Sequence, residues 1–206
     1  MKVPIKKQVL TSIIKAVFFM SISLVQASVI IDEHLVDIKA LDKSLLIEIK
    51  YATADNFLKK VFYSDSNAYL RPQVAQALIK VQRELKEKGL GLKIWDAYRP
   101  MQAQEMMWAA LPNPRYISDP KMGGRHTRGT AIDLTLVELN TGKELKMPTE
   151  FDNFTEKAHR DQVYSDPIVK ANMKLLDDVM SKYGFTGLST EWWHYDFNGW
   201  EEFGVV

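Results

Sequence analysis

Apolar and polar positions alternate with several different periods along the chain, and each period predicts an element. From Leu45 to Tyr51 every second residue is apolar, as in a half-buried strand. Between Arg71 and Lys88 the period lengthens: Val74, Leu78, Val81 and Leu85 fall on one helical face. Pro72 suits the first turn of that helix, and Gly89 suits its stop. Leu92 to Trp95 reads as a short strand. Pro100 opens a helix to about Ala110, which Pro112 and Pro114 prevent from continuing. Residues 112–125, with three prolines and the Gly123 and Gly124 pair, predict a loop. Strand alternation resumes from Ile132 to Val137, with Ile132, Leu134 and Leu136 on one face and Asp133 and Thr135 on the other. Asp166 and Pro167 start a helix that runs to about Tyr183 and ends at Gly184. The aromatic segment from Glu191 to Phe197 predicts a final strand.

Strands and helices are mixed without a regular β-α alternation, and two strands flank the candidate chemistry. The expected architecture is a single α+β domain with a largely antiparallel central sheet flanked by helices.

The first 27 residues have a different pattern. Lys2, Lys6, Lys7 and Lys15 occur with no acidic residue, Ala16 to Val25 is mostly apolar, and Val25, Gln26 and Ala27 suit a signal-peptidase site. The apolar run is short for a bilayer span. A cleaved export signal over residues 1–27, followed by the domain at 28–206, is therefore expected, with an uncleaved N-terminal anchor as the competing possibility. Export places the domain in the periplasm, with no stable membrane anchor after cleavage. The four lysines leave with the signal, so the 26 acidic residues come to outnumber the remaining basic ones. No basic patch is left to neutralise phosphates, and nucleic acid is not an expected partner. The chain has no cysteine, which rules out a lipoprotein anchor, disulfides and a thiol nucleophile. Any metal must be held by His, Asp or Glu.

Two short segments carry such ligands. His126 follows a glycine pair and precedes Gly129, and Asp133 lies seven residues on at the start of a strand. His194 comes from the terminal aromatic segment, with Glu191 three residues before it. A loop histidine, a strand carboxylate and a histidine from a neighbouring strand make a three-ligand zinc site with one position open for water. Glu191 would then be the general base, taking a proton from water and later delivering it to the leaving amine. An exchange of roles between Asp133 and Glu191 stays open. An N,N,O ligand set also accepts cobalt or nickel. Trp192 and Trp193 read as pocket wall and core. His34 is expected at the surface, and His159, in a charged segment, on a solvated face.

Three segments resemble the VanX-type D-alanyl-D-alanine dipeptidases of the M15 peptidases: Trp95 to Pro100, His126 through Gly129 and Ala131 to Asp133, and Glu191 to Tyr195. The resemblance runs from about Tyr51 to the last strand. The middle element is shared with related D,D- and L,D-carboxypeptidases of the cell wall. The family implies a D,D-peptidase-like (hedgehog-type) fold and one Zn2+ on His126, Asp133 and His194, with Glu191 as base. It also implies that Arg99 steadies the oxyanion, which suits an always-charged guanidinium; a plain salt bridge to Asp96 is the structural alternative. Asp152 matches a position that holds the substrate ammonium, and Tyr51 one that lines the pocket. Gly124 stands where the family usually has serine, and the stretch from Arg99 to His126 is shorter than in the resistance enzymes. The activity implied is cleavage of the free dipeptide D-alanyl-D-alanine, serving wall turnover or scavenging. A stem-peptide carboxypeptidase is the nearest rival, and a non-catalytic, zinc-stabilised cell-wall binding protein the more distant one.

Overall fold

The structure, a computed structural model, describes residues 35–206. The expected signal sequence and His34 lie outside the described residues. A two-residue strand β1 (Val36–Asp37) leads into a single helical turn α1 (Ile38–Leu41), capped by the Asp37 carboxylate on the Lys39 N–H. Next come β2 (Leu46–Ile47), β3 (Tyr69–Leu70), α2 (Pro72–Lys86), β4 (Leu90–Asp96), α3 (Met101–Ala110), β5 (Ala131–Glu138), α4 (Pro167–Lys182), β6 (Phe185–Gly187) and β7 (His194–Phe197). The main sheet has the order β2-β4-β5-β7-β6, and β1 pairs with β3 alone. Every neighbour in the main sheet is antiparallel except β2 and β4. The expected α+β class and largely antiparallel sheet are what the chain forms.

The helices arise where the periodicity placed them. Val74, Leu78, Val81 and Leu85 of α2 are fully buried, and α2 packs on β4. Gln82 on the same face is also buried, and its amide is satisfied at both ends. It accepts the Leu92 N–H at 2.8 Å and donates to Ser44 Oγ at 2.9 Å. The Asp166 carboxylate caps α4 through the N–H groups of Ile168 and Val169, and Pro167 occupies the first turn. α4 buries Val169, Met173, Leu176, Val179 and Met180. Tyr183 ends that helix, and Gly184 at φ +88° turns the chain into β6.

β5 lies at the centre of the sheet, and all its residues up to Val137 are buried. Both of its faces are therefore covered, so the polar Asp133 and Thr135 face protein rather than water. Its register decides the site: Asp133 stands opposite Asp96 of β4 on one side and His194 of β7 on the other. A register shift in β4 between Ile94 and Asp96 brings Asp96 into that row.

Three expectations are corrected. The first strand pairs only at Leu46 and Ile47, because after the Glu48 N–H bonds Ile94 O at 2.9 Å the chain winds into a 3-10 turn at Lys50–Ala52. That turn carries Tyr51 inward. The last strand begins at His194 rather than Glu191: residues 188–194 close a loop in which the Leu188 N–H reaches His194 O at 3.1 Å. His159 is buried, not solvated, because the Trp192 N–H bonds Ala158 O and the Arg160 N–H bonds Ser189 O, docking its segment onto that loop.

Candidate active site

Each histidine reaches the site by a different local device. His126 starts a 3-10 turn, His126–Arg128, closed by Gly129 at φ +69°. A Cβ at residue 129 would stand 2.6 Å from Leu35 Cδ2, so the turn needs glycine for both its backbone angle and its space. The turn is tied to the connection between β4 and α3 by the Arg99 N–H on His126 O at 3.1 Å. His194 is the first residue of β7, directly across from Asp133.

All three side chains are buried, and one ligand atom from each lies within 4.8 Å of the others. His126 Nδ1 donates to Ala97 O at 2.7 Å, which leaves Nε2 with its lone pair directed at the centre. His194 does the reverse: its Nε2 meets Asp196 Oδ1 at 2.9 Å and its Nδ1 faces inward. The two inward nitrogens are 3.2 Å apart, and Asp133 Oδ1 lies 3.0 Å from one and 3.4 Å from the other. Two lone pairs and a carboxylate facing one another at these distances require a cation between them. In the protein alone a proton meets that need. Burial opposes charge on His194, yet Asp196 and Asp133 outweigh it and raise its pKa to about 10. Burial likewise opposes ionisation of Asp133, but the two histidines hold it well below the usual carboxylate range. A divalent ion fits the same demand, with the outer hydrogen bonds already orienting each ring. The donor set has the chemistry of a zinc site.

Glu191 stands beside this cluster at the tip of the 188–194 loop, with Oε2 4.0 Å from His194 Nδ1. It is buried, and its Oε1 has no hydrogen-bond partner among the described residues. Burial raises its pKa to about 8. Of the two carboxylates, Asp133 is the one grouped with the two histidines as a possible ligand cluster, and Glu191 lies outside that group.

Arg99 lines the same pocket and also makes the salt bridge that was its structural alternative. Its Nε and Nη2 donate to Asp96 Oδ2 at 3.1 and 2.7 Å, and its Nη1 donates to Gln104 Oε1 at 3.0 Å. Asp96 is held in turn by the Tyr63 hydroxyl at 2.6 Å and the Ala97 N–H at 2.9 Å. The ion pair therefore fixes where the guanidinium sits, and forming it does not take Arg99 out of the pocket lining. Tyr51 lies under it, with the ring centroid 5.2 Å from Cζ. The Tyr51 hydroxyl donates to Asp152 Oδ1 at 2.9 Å, and the Phe57 N–H approaches Oδ2 at 3.4 Å. Asp152 sits at φ +58°, and burial pushes its pKa up to about 7. A single pocket is thus lined by His126, Asp133, His194, Glu191, Arg99 and Asp152.

A family model described as D-Ala-D-Ala dipeptidase, peptidase family M15, matches residues 32–201. The chain belongs to this family. It is therefore a peptidase, and its cluster of buried histidines and carboxylates belongs to a metallopeptidase. It is 42% identical over 163 residues to the D-alanyl-D-alanine dipeptidase of Escherichia coli (strain K12), covering 79% of this chain and 84% of that one. It is 33% identical over 168 residues to the D-alanyl-D-alanine dipeptidase of Enterococcus faecium, covering 72% and 83%. Among solved structures it is similar to a vancomycin-resistance D,D-pentapeptidase in complex with Zn(II), at 16% identity and TM-score 0.40, covering 68% of this chain and 78% of that one.

All seven site residues expected from sequence line one pocket of this peptidase. Trp192 and Trp193 are wholly buried, as wall and core. Sequence reasoning passed over Asp196, which sets the His194 tautomer, and Gln104, which holds Arg99 Nη1 and donates to Ser118 O at 2.6 Å. Asp196 had a signal: it stands two residues after His194, on the same face of a strand. Gln104 had none, since only the packing of α3 brings it to Arg99.

Proposed function

We propose that this peptidase hydrolyses the free dipeptide D-alanyl-D-alanine using one zinc ion on His126, Asp133 and His194, after export to the periplasm, in cell-wall turnover or scavenging. The observation that carries this is Asp152 in the same pocket as Glu191 and the ligand cluster. A carboxylate there meets the free ammonium group of a short substrate, a feature that an enzyme trimming long stem peptides has no need of. The curated relatives carry the same activity in their names. Export rests on the basic, apolar and small-residue pattern of residues 1–27.

Bound zinc would supply Lewis-acid polarisation of the scissile carbonyl and acidify water in the site. The chain's own groups do the rest. Asp152, with Tyr51 fixing its Oδ1, orients the dipeptide by its ammonium. Glu191 takes a proton from the attacking water and delivers it to the departing nitrogen. Burial lifts its carboxyl above the ordinary carboxylate range, which favours its taking up a proton. The Arg99 guanidinium, held by Asp96 and Gln104, faces the oxygen that becomes negative. The buried Trp193, which lines the pocket, keeps bulk water from that wall of the site.

The test is D-alanine release by the purified, zinc-loaded domain from the free dipeptide and from a muropeptide, side by side. Release from the free dipeptide supports the proposal; release only from the muropeptide overturns it. Glu191→Gln is expected to lower kcat by about 100- to 10,000-fold while the bound metal stays at one ion per chain. Full activity in that variant would remove Glu191 as the base.

A further inference from the structure

Among the described residues Glu191 has no hydrogen bond at Oε1 to hold it, so its position comes from the backbone of the 188–194 loop. That loop is gathered around one side chain, Arg160, from the segment that docks against it. Arg160 Nε donates to Leu188 O at 3.0 Å, and its Nη2 donates to Trp192 O at 2.5 Å and to His194 O at 3.1 Å. Its Nη1 donates to the Tyr195 hydroxyl at 3.1 Å and to Asp177 of α4. The five N–H groups of a guanidinium are thereby all used. Its own backbone N–H adds a bond to Ser189 O at 2.9 Å. The guanidinium also lies over the Tyr195 ring, 4.2 Å from the centroid.

The carbonyls it collects bracket Glu191 on both sides, at 188, 192 and 194. The neighbouring backbone makes room for it: a Cβ at Gly187 would stand 2.6 Å from Arg160 Nη1. The side chain of Arg160 is only 13% exposed, and it lines no part of the substrate pocket.

We propose that Arg160 is a positioning residue for the reaction: it clamps the loop to α4 so that the Glu191 carboxylate and His194 Nδ1 are held against Asp133. This rests on Glu191 as base and His194 as ligand, the roles proposed above. Lysine at 160 keeps the charge, but a single ammonium cannot span acceptors spread over residues 177 to 195.

The experiment measures kcat and KM for D-alanyl-D-alanine, and zinc affinity by competition with a chromogenic chelator, on Arg160→Lys and Asp177→Asn. All measurements are made well below each variant's Tm. Arg160→Lys is expected to lose about 10- to 100-fold in kcat and about 10-fold in zinc affinity, as loss of an outer partner of a metal site does. KM stays within about threefold, because Tyr51, Arg99 and Asp152 lie on other elements, where truncation of Arg160 removes no substrate contact. Asp177→Asn, at a side chain 43% exposed and so tolerated by the fold, is expected to move kcat and zinc affinity in the same direction by a smaller factor. A merely structural role would lower Tm and leave kcat and zinc affinity unchanged. Folded Arg160→Lys with wild-type kcat and zinc affinity overturns the proposal; if that variant does not fold, unchanged values in Asp177→Asn do so. Glu191→Gln with full activity would instead overturn the roles on which the proposal stands, so the two failures are distinct.

Discussion

Replacing Asp152 with asparagine should make the free protein more stable and the enzyme worse. The site allows a clean substitution, because asparagine tolerates the left-handed backbone region at φ +58° as well as aspartate does. Its amide oxygen can still accept the Tyr51 hydroxyl, while its NH2 group would face the Phe57 N–H without bonding it. Burial raises the Asp152 pKa from 3.8 to about 7, so the folded protein binds this proton more tightly than the unfolded chain. The sign follows: this group favours folding most below about pH 4, and that contribution is lost as pH rises from about 4 to 7. Roughly three pK units at 1.36 kcal/mol each set a ceiling of about 4 kcal/mol on the cost of the ionised form. Partial solvent access and the lost Phe57 contact reduce the expected net gain to about 2 kcal/mol, or about 4–8 °C in Tm for a domain of this size. In catalysis the ammonium loses its charged partner, which at about 2 kcal/mol or more raises KM by about 30-fold. The assay is thermal unfolding of the substrate-free protein at pH 4.5 and pH 8, with steady-state kinetics on the dipeptide. The stability gain should be present at pH 8 and nearly vanish at about pH 4.5. A variant no more stable than the wild type at pH 8, or one with an unchanged KM, would refute the reasoning.

Two further substitutions separate the remaining roles. Arg99→Lys keeps a positive charge but cannot serve Asp96 and Gln104 together, so kcat should fall by about 100- to 1,000-fold, with Tm lowered because the buried Asp96 is left underpaired; a kcat within twofold of wild type would remove Arg99 from the oxyanion role. Gly124→Ser should fold as well as the wild type, because a Cβ there meets Ser118 Cβ at 3.4 Å, its Oγ at 3.5 Å and Gln104 Oε1 at 3.7 Å, all ordinary contacts. Its effect should appear as a change in KM for the dipeptide, and a Tm loss above about 5 °C, equivalent to more than about 1 kcal/mol, would show that the pocket has no room for the side chain.

Local pattern alone was enough to place α2, α3, α4, β4 and β5. In these elements the apolar period agrees with the terminators beside them: Pro72 and Gly89, Pro100 and Pro112, Asp166 and Gly184. It failed at Leu45–Tyr51, where alternation persists, and at Glu191–Trp193, where the aromatic run suggested a strand; neither stretch has a continuous pairing partner. Strand length is decided by the neighbour as much as by the segment. His159 was misplaced for a related reason. Its segment is rich in charge, yet Arg160 spends that charge on buried carbonyls and draws the whole stretch inward.

The chemistry of the site was written in residue types and short spacings, because metal ligation and proton transfer demand His, Asp and Glu and few other side chains. Which nitrogen each histidine turns inward, that Asp133 rather than Glu191 completes the cluster, and that Arg160 gathers the loop were settled only by folding. These depend on the register of β5 between β4 and β7 and on carbonyls contributed by residues far apart in the chain. Side-chain identity is local information, whereas orientation within a few tenths of an ångström is a property of packed strands and shared hydrogen bonds.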